Sequence, residues 1–151
     1  MKKRILLLSI VLVSFTAFSF AADAPVVSKN VISSFNKQFA NARDVKWEHQ
    51  ANFTKAEFKL NDMVLFAYFN NNAELIAVTR FISPNQLPLS ILSSLKKDYA
   101  DYWVSDLFEI QTENGTSYYV TIENSDRVTI LKSEGASGWQ TYQKVTKYHA
   151  E

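Results

Sequence analysis

The chain has 151 residues, with 16 Lys and Arg against 15 Asp and Glu for a net charge of +1, no cysteine, and 3 Trp, 7 Tyr and 11 Phe against three glycines and three prolines. So even a balance leaves no electrostatic footprint for DNA, RNA or an anionic membrane, and a chain without cysteine has neither disulfides nor a lipid-attachment thiol. Large rings in such excess favour strands and interfaces.

Lys2, Lys3 and Arg4 precede an apolar run over residues 5–20, and Ser19-Phe20-Ala21 puts small residues at the two positions a signal peptidase inspects. Residues 1–21 therefore read as a secretory signal cut after Ala21; the later alternative, Ala22-Asp23-Ala24 with the cut after Ala24, is unfavourable because it puts Pro25 directly after the scissile bond. An uncleaved anchor of about 20 apolar residues is the weaker reading of this shorter run. The segment 22–151 would keep 13 basic and 15 acidic side chains and no membrane span, in the periplasm or outside the cell. Its length suits one domain that buries about two-thirds of its unfolded surface.

From Val27 the apolar residues Val27, Val31, Phe35 and Phe39 recur at every fourth position, which predicts a helix with one buried side, capped by Ser28 and ending near Asn41. The period then changes to two. Val45, Trp47 and His49 alternate with Asp44, Lys46 and Glu48, and Ala56, Phe58 and Leu60 alternate with Lys55, Glu57 and Lys59, the pattern of half-buried antiparallel strands. Turn residues at Asn61-Asp62 and Asn70-Asn71-Asn72 bound a third strand over 63–69 and a fourth over 74–82. The third is apolar on both faces, so it lies centrally or its second face awaits a partner.

Ser83-Pro84-Asn85 breaks the sheet, and Pro88 suits the first turn of a second helix whose apolar side is Leu87, Ile91, Leu92, Leu95 and Tyr99. Four more strands follow over 103–112, 117–123, 127–133 and 139–147, with Asn114-Gly115 as the strongest hairpin signal. Val31, Ser33, Ser34, Phe35, Lys37, Phe39, Ala40 and Asn41 align without a gap on Ile91, Ser93, Ser94, Leu95, Lys97, Tyr99, Ala100 and Asp101. The expected fold class is therefore α+β, a tandem repeat (27–82 and 87–147) of one helix packed on a four-stranded antiparallel sheet. Units of this size are marginal alone, so the two pack as one domain spanning 22–151, with sheets either continuous or side by side.

Val45-Lys46-Trp47-Glu48 after a helix ending in Phe39-Ala40-Asn41-Ala42, then Glu57-Phe58, the hairpin over 69–75, Leu87-Pro88 and Lys97-Asp98-Tyr99, resemble the PepSY-like, or beta-lactamase-inhibitor-like, periplasmic proteins. The resemblance spans nearly all of residues 27–147. It departs at Ala40, where Pro is commoner, and at Asn72, where Gly is usual. It implies the beta-lactamase-inhibitor-protein-like tandem fold, secretion across the inner membrane and no known enzymatic activity. Fold does not confer function, and no inhibitory loop transfers residue by residue.

Catalytic chemistry lacks its parts. His49 and His149 have no companion ligands at metal-binding spacing. Glycines for a phosphate-cradling loop are missing before Gly115, and so is a Gly-x-Ser-x-Gly elbow. Glu113 and Glu123 are two of fifteen acids, too many for an isolated pair to signify a glycosidase. Asn52-Phe53-Thr54 and Asn114-Gly115-Thr116 match the N-glycosylation pattern but read as hairpin residues beside a bacterial-type signal. No cofactor is expected.

The surplus rings carry the remaining signal. If Ala56, Phe58 and Leu60 meet the helix, parity turns Phe53 to the other face, and likewise Tyr68, Tyr119 and Tyr142. Phe53, Tyr68, Tyr119 and Tyr142 are thus the candidate contacts of a non-enzymatic envelope module that binds a protein or peptide. The competing reading makes them cross-strand pairs, each contributing roughly 0.2–1 kcal/mol to the sheet. Two other functions stand beside the first: inhibition or regulation of an envelope hydrolase or peptidase, and carriage of a small apolar ligand between helix and sheet.

Overall fold

The computed structural model describes residues 26–147. The signal segment and its cut, and the tail with His149, lie outside the described residues. Helix α1 is Lys29–Gln38. Ser28 caps it as expected, its Oγ accepting the Val31 N–H at 3.3 Å, and Val31 and Phe35 are its buried residues. The strands are β1 (Arg43–His49), β2 (Thr54–Leu60), β3 (Met63–Phe69) and β4 (Leu75–Phe81). A 3₁₀ turn over Pro84–Gln86 leads into α2 (Leu89–Asp98), with Pro88 at the cap position, one residue ahead of the helix. Strands β5 (Trp103–Thr112), β6 (Gly115–Glu123), β7 (Arg127–Glu134) and β8 (Gln140–Thr146) complete the chain.

All eight strands form one antiparallel sheet in sequence order. Of the two arrangements the sequence left open, the sheets are continuous: β4 and β5 pair from Val78↔Gln111 to Phe81↔Phe108 and continue through the Ile82 N–H to Leu107 O bond at 3.0 Å. Separate sheets would leave two further edges of unpaired N–H and C=O groups, and joining β4 to β5 removes both. That pairing also answers the question about β3: as the third of eight strands it is central, and its second face is partly covered by rings.

Local chemistry sets the turns. Asn61 and Asp62 both take positive φ (49° and 63°) between the paired Leu60 and Met63, the two-residue turn whose twist matches a hairpin. Asn70 Oδ1 accepts the N–H groups of Asn72 (2.9 Å) and Glu74 (3.0 Å), and it is Ala73, rather than an asparagine, that takes the left-handed conformation, at φ 63°. In the β5–β6 hairpin the turn residues are Glu113 and Asn114, and Gly115, at φ 114°, already opens β6 opposite Thr112.

Both helices lie on one side of the sheet. Val31 and Phe35 pack on Ala56, Phe58, Leu65, Ala67 and Phe69; Ile91 and Leu95 pack on Leu107, Val120, Ile122 and Leu131. The register carries one face continuously from Ala67 through Val78 and Arg80 to Glu109 and Leu107, so the two clusters share it. Trp139 ties the β7–β8 connection to α2, its Nε1 donating to Ile91 O at 2.8 Å.

Candidate functional site

The face opposite the helices is built from the other parity of each strand. Phe66, Phe81, Phe108 and Tyr119 occupy it on β3, β4, β5 and β6, because the register pairs Phe81 with Phe108 and Phe108 with Tyr119. Their rings form a chain: Phe66 to Phe81 at 6.0 Å, Phe81 to Phe108 at 6.3 Å, Phe108 stacked on Tyr119 at 5.3 Å and 5°, and Tyr119 edge-on to Tyr142 at 5.4 Å. A second pair, Phe53 and Tyr68, sits at 5.7 Å towards the β1 side. Such pairs add about 0.5–1.5 kcal/mol each beyond area burial, so the row is a structural element as well as a surface.

Within that arrangement two of the four expected contacts are buried. Phe53 is 5% exposed and Tyr119 1%. Parity puts them on the face named for them, but the rings lie down on it. Phe53 precedes β2, in a bend held by the Asn71 Nδ2 bond to Ala51 O, and covers Tyr68. Tyr119 is sandwiched between Phe108 and Tyr142, with Lys132 Nζ 5.9 Å above its ring. Tyr68 and Tyr142 are half-buried and stay within reach of solvent. Tyr68 also shares a hydrogen bond with Thr79, and burial pushes its phenol above the ordinary range.

Sequence parity alone missed the residues that stand proud. Val64 is 44% exposed, Phe81 48%, Trp103 53% and Val145 49%. Trp103, Glu123, Val128 and Val145 are successive register partners across β5 to β8, at one end of the face. Alternation in 103–112 could have placed Phe108, but the shift between Val104 and Asp106, which inserts Ser105, resets the parity that would have located Trp103.

The charges of the face are nearly all neutralised within it. Lys55 pairs with Glu48, Glu57 with Lys46 at 3.2 Å and Lys59 with Asp44 at 2.8 Å; at the far side Lys132 holds Glu134 and Lys147 holds Glu123, each at 2.7 Å. Lys147 Nζ also lies 5.0 Å from the Trp103 ring centroid. Asp106 is the exception, half-buried and in no ion pair among the described residues.

His49 Nδ1 and Thr54 Oγ1 are hydrogen-bonded at 3.0 Å. Among the described residues no group of three or more His, Cys, Asp or Glu is placed to hold a metal ion. Glu113 is in the β5–β6 turn and Glu123 at the opposite end of β6, so the register separates them by the strand's length. No helix among the described residues is long and apolar enough to cross a membrane.

No family model matches the chain, and no curated protein does. Solved structures do. A BLIP-like protein from Bacteroides fragilis superposes with a TM-score of 0.72 at 22% identity, over 82% of this chain and 90% of that one. A DUF2874 family protein from Bacteroides ovatus gives 0.70 at 18% identity, over 83% and 89%. A protein from Bacteroides eggerthii, provisionally described as periplasmic, gives 0.69 at 11% identity, over 80% and 88%. At these identities the likeness shows the fold alone, an α+β fold of BLIP-like type with one eight-stranded antiparallel sheet and two helices.

Proposed function

We propose that this chain is a non-enzymatic binding module of the bacterial envelope that engages a protein or peptide through the sheet face opposite its helices. The observation that carries the reading is the asymmetry of the sheet: α1 and α2 both cover one face, while the other carries a ring row crossing β3 to β8 and the exposed Val64, Trp103 and Val145. Clustered rings with exposed apolar neighbours are the composition of an interface core. Of the expected contacts, Tyr68 and Tyr142 remain at the surface, and Phe53 and Tyr119 act as the floor beneath them.

The same reading places the protein in the periplasm or outside the cell, released by cleavage after Ala21, and treats it as PepSY-like, with residues 27–82 and 87–147 as two copies of one helix and four strands. Carriage of an apolar ligand between helix and sheet is less well supported, because Phe35 fills that space, with four rings around it. The likeness to a BLIP-like protein favours one second reading, inhibition of an envelope hydrolase or peptidase by the same face, which dose-dependent inhibition of purified envelope enzymes would separate from simple binding.

Crosslinking in intact envelopes tests the face. Trp103→Ser with Val145→Ser should abolish the crosslinked species, and Leu89→Ser, at a 78% exposed position on α2, should leave it unchanged. An unchanged species in the double variant, with the fold intact by circular dichroism, overturns the assignment.

A further inference from the structure

The β8 end of this face holds a cation by pairing a carboxylate with a ring: Lys147 Nζ lies between Glu123 Oε2, at 2.7 Å, and the Trp103 ring, at 5.0 Å. One step along β5 the same two ingredients recur without a cation among the described residues. Asp106 is on the same face, opposite Thr121, with Phe108 two residues on and Glu123 diagonally across. Burial pushes its carboxyl above the ordinary carboxylate range, and a hydrogen bond from the Leu107 backbone only partly offsets this. A half-buried carboxylate that costs desolvation and receives no counter-charge is a standing demand for one. The other charges of the face already have partners, so an incoming cation finds its match at this position.

We propose that Asp106 is the charged anchor of the binding face and takes an arginine side chain of the partner protein. The proposal rests on the reading of this face as a protein-binding surface. Arginine fits better than lysine for two reasons. Its guanidinium is more weakly hydrated and gives up water more readily at a half-buried acid, and its flat surface stacks on neighbouring rings such as Phe108 while its edge donates to the carboxylate. Thr121, directly across, and Gln143, two strands further in register beyond Ile130, supply polar atoms at the rim.

Backbone amide NMR of the purified protein, titrated with acetyl-Ala-Arg-Ala-amide, its citrulline counterpart and its lysine counterpart, tests the anchor. The arginine peptide should produce saturable shifts centred on Asp106, Leu107 and Thr121, the citrulline peptide none and the lysine peptide weaker ones, and Asp106→Asn should abolish the response. Equal shifts with citrulline or lysine, no saturable response to arginine, or a response surviving in Asp106→Asn each overturn the proposal. Acetyl-Ala-Trp-Ala-amide, run in parallel, reports on the face itself. Shifts along Phe108, Tyr142 and Trp103 with that peptide but none with arginine remove the anchor and keep the surface; silence from both peptides removes both.

Discussion

Arg80 and Glu109 hold each other by two parallel hydrogen bonds across the join between the halves, Nε to Oε1 at 3.1 Å and Nη2 to Oε2 at 3.3 Å. They are direct register partners on β4 and β5, on the helix side of the sheet, with side chains only 27% and 18% exposed. A two-pronged pair with this little solvent is stronger than a surface ion pair, though its partial exposure keeps it below the fully buried case. A double-mutant cycle with Arg80→Met and Glu109→Gln should return a coupling of about 1–2 kcal/mol in urea unfolding. A coupling near zero would mean that backbone pairing alone joins the halves.

Phe35 is the keystone of the first cluster. Its ring lies 5.2 Å from Phe39, 5.1 Å from Trp47, 5.0 Å from Phe58 and 6.4 Å from Phe69, three of these edge-on or nearly so. Phe35→Ala leaves a cavity ringed by aromatic groups too stiff to collapse into it, and should cost about 3–5 kcal/mol. Thermal unfolding measures this directly, and a loss below about 1 kcal/mol would show α1 to be loosely docked.

The period of the apolar residues made most of this fold legible. The i, i+4 stripe Val31, Phe35 and the alternation Ala56, Phe58 found α1 and β2 and the faces they bury, since helix and strand periods are backbone geometry. Sheet continuity was not legible, because pairing of β4 with β5 depends on two edges meeting in space, and no local pattern records that. The candidate site was legible by face and illegible by exposure. Parity put Tyr119 on the correct side, but whether a ring lies flat under its neighbour depends on Phe108 and Tyr142, one and two strands away. Asp106 carried no signal at all, since the absence of a counter-ion is a property of the assembled face.

Ala73 takes φ 63° in the turn that Asn70 organises. Left-handed backbone sets a Cβ against the carbonyl oxygen at a cost of about 1–2 kcal/mol, which glycine avoids. Glycine gives back part of that through a freer unfolded chain, by about 0.4–1 kcal/mol. Ala73→Gly should therefore stabilise the protein by about 0.5–1 kcal/mol, seen as a higher urea midpoint at unchanged slope. A lower midpoint would show that the half-buried Ala73 methyl, which packs on the first cluster, outweighs the strain.

Tyr119 combines the deepest burial on the ring face with a hydroxyl that has no hydrogen-bond partner among the described residues. Leaving such a group unsatisfied costs about 1–3 kcal/mol, so Tyr119→Phe should raise stability at neutral pH by about 1 kcal/mol while keeping the Phe108 stack. Burial first, then the nearby Tyr142 and Glu134, push the Tyr119 phenol well above its ordinary value near 10. Tyr68, Tyr99 and Tyr118 are raised too, again chiefly by burial. The unfolded chain thus gives up phenol protons from about pH 10 upward while the folded chain retains them; the unfolded state binds fewer protons, and stability falls as pH rises through that window. Below it the contribution is fully present. Urea unfolding across the alkaline range should show this decline in the parent and a shallower one in Tyr119→Phe. Parallel declines would mean that Tyr119 titrates in the folded protein as it does in the unfolded one, and a loss of stability at neutral pH would mean that its hydroxyl is satisfied by a bound water.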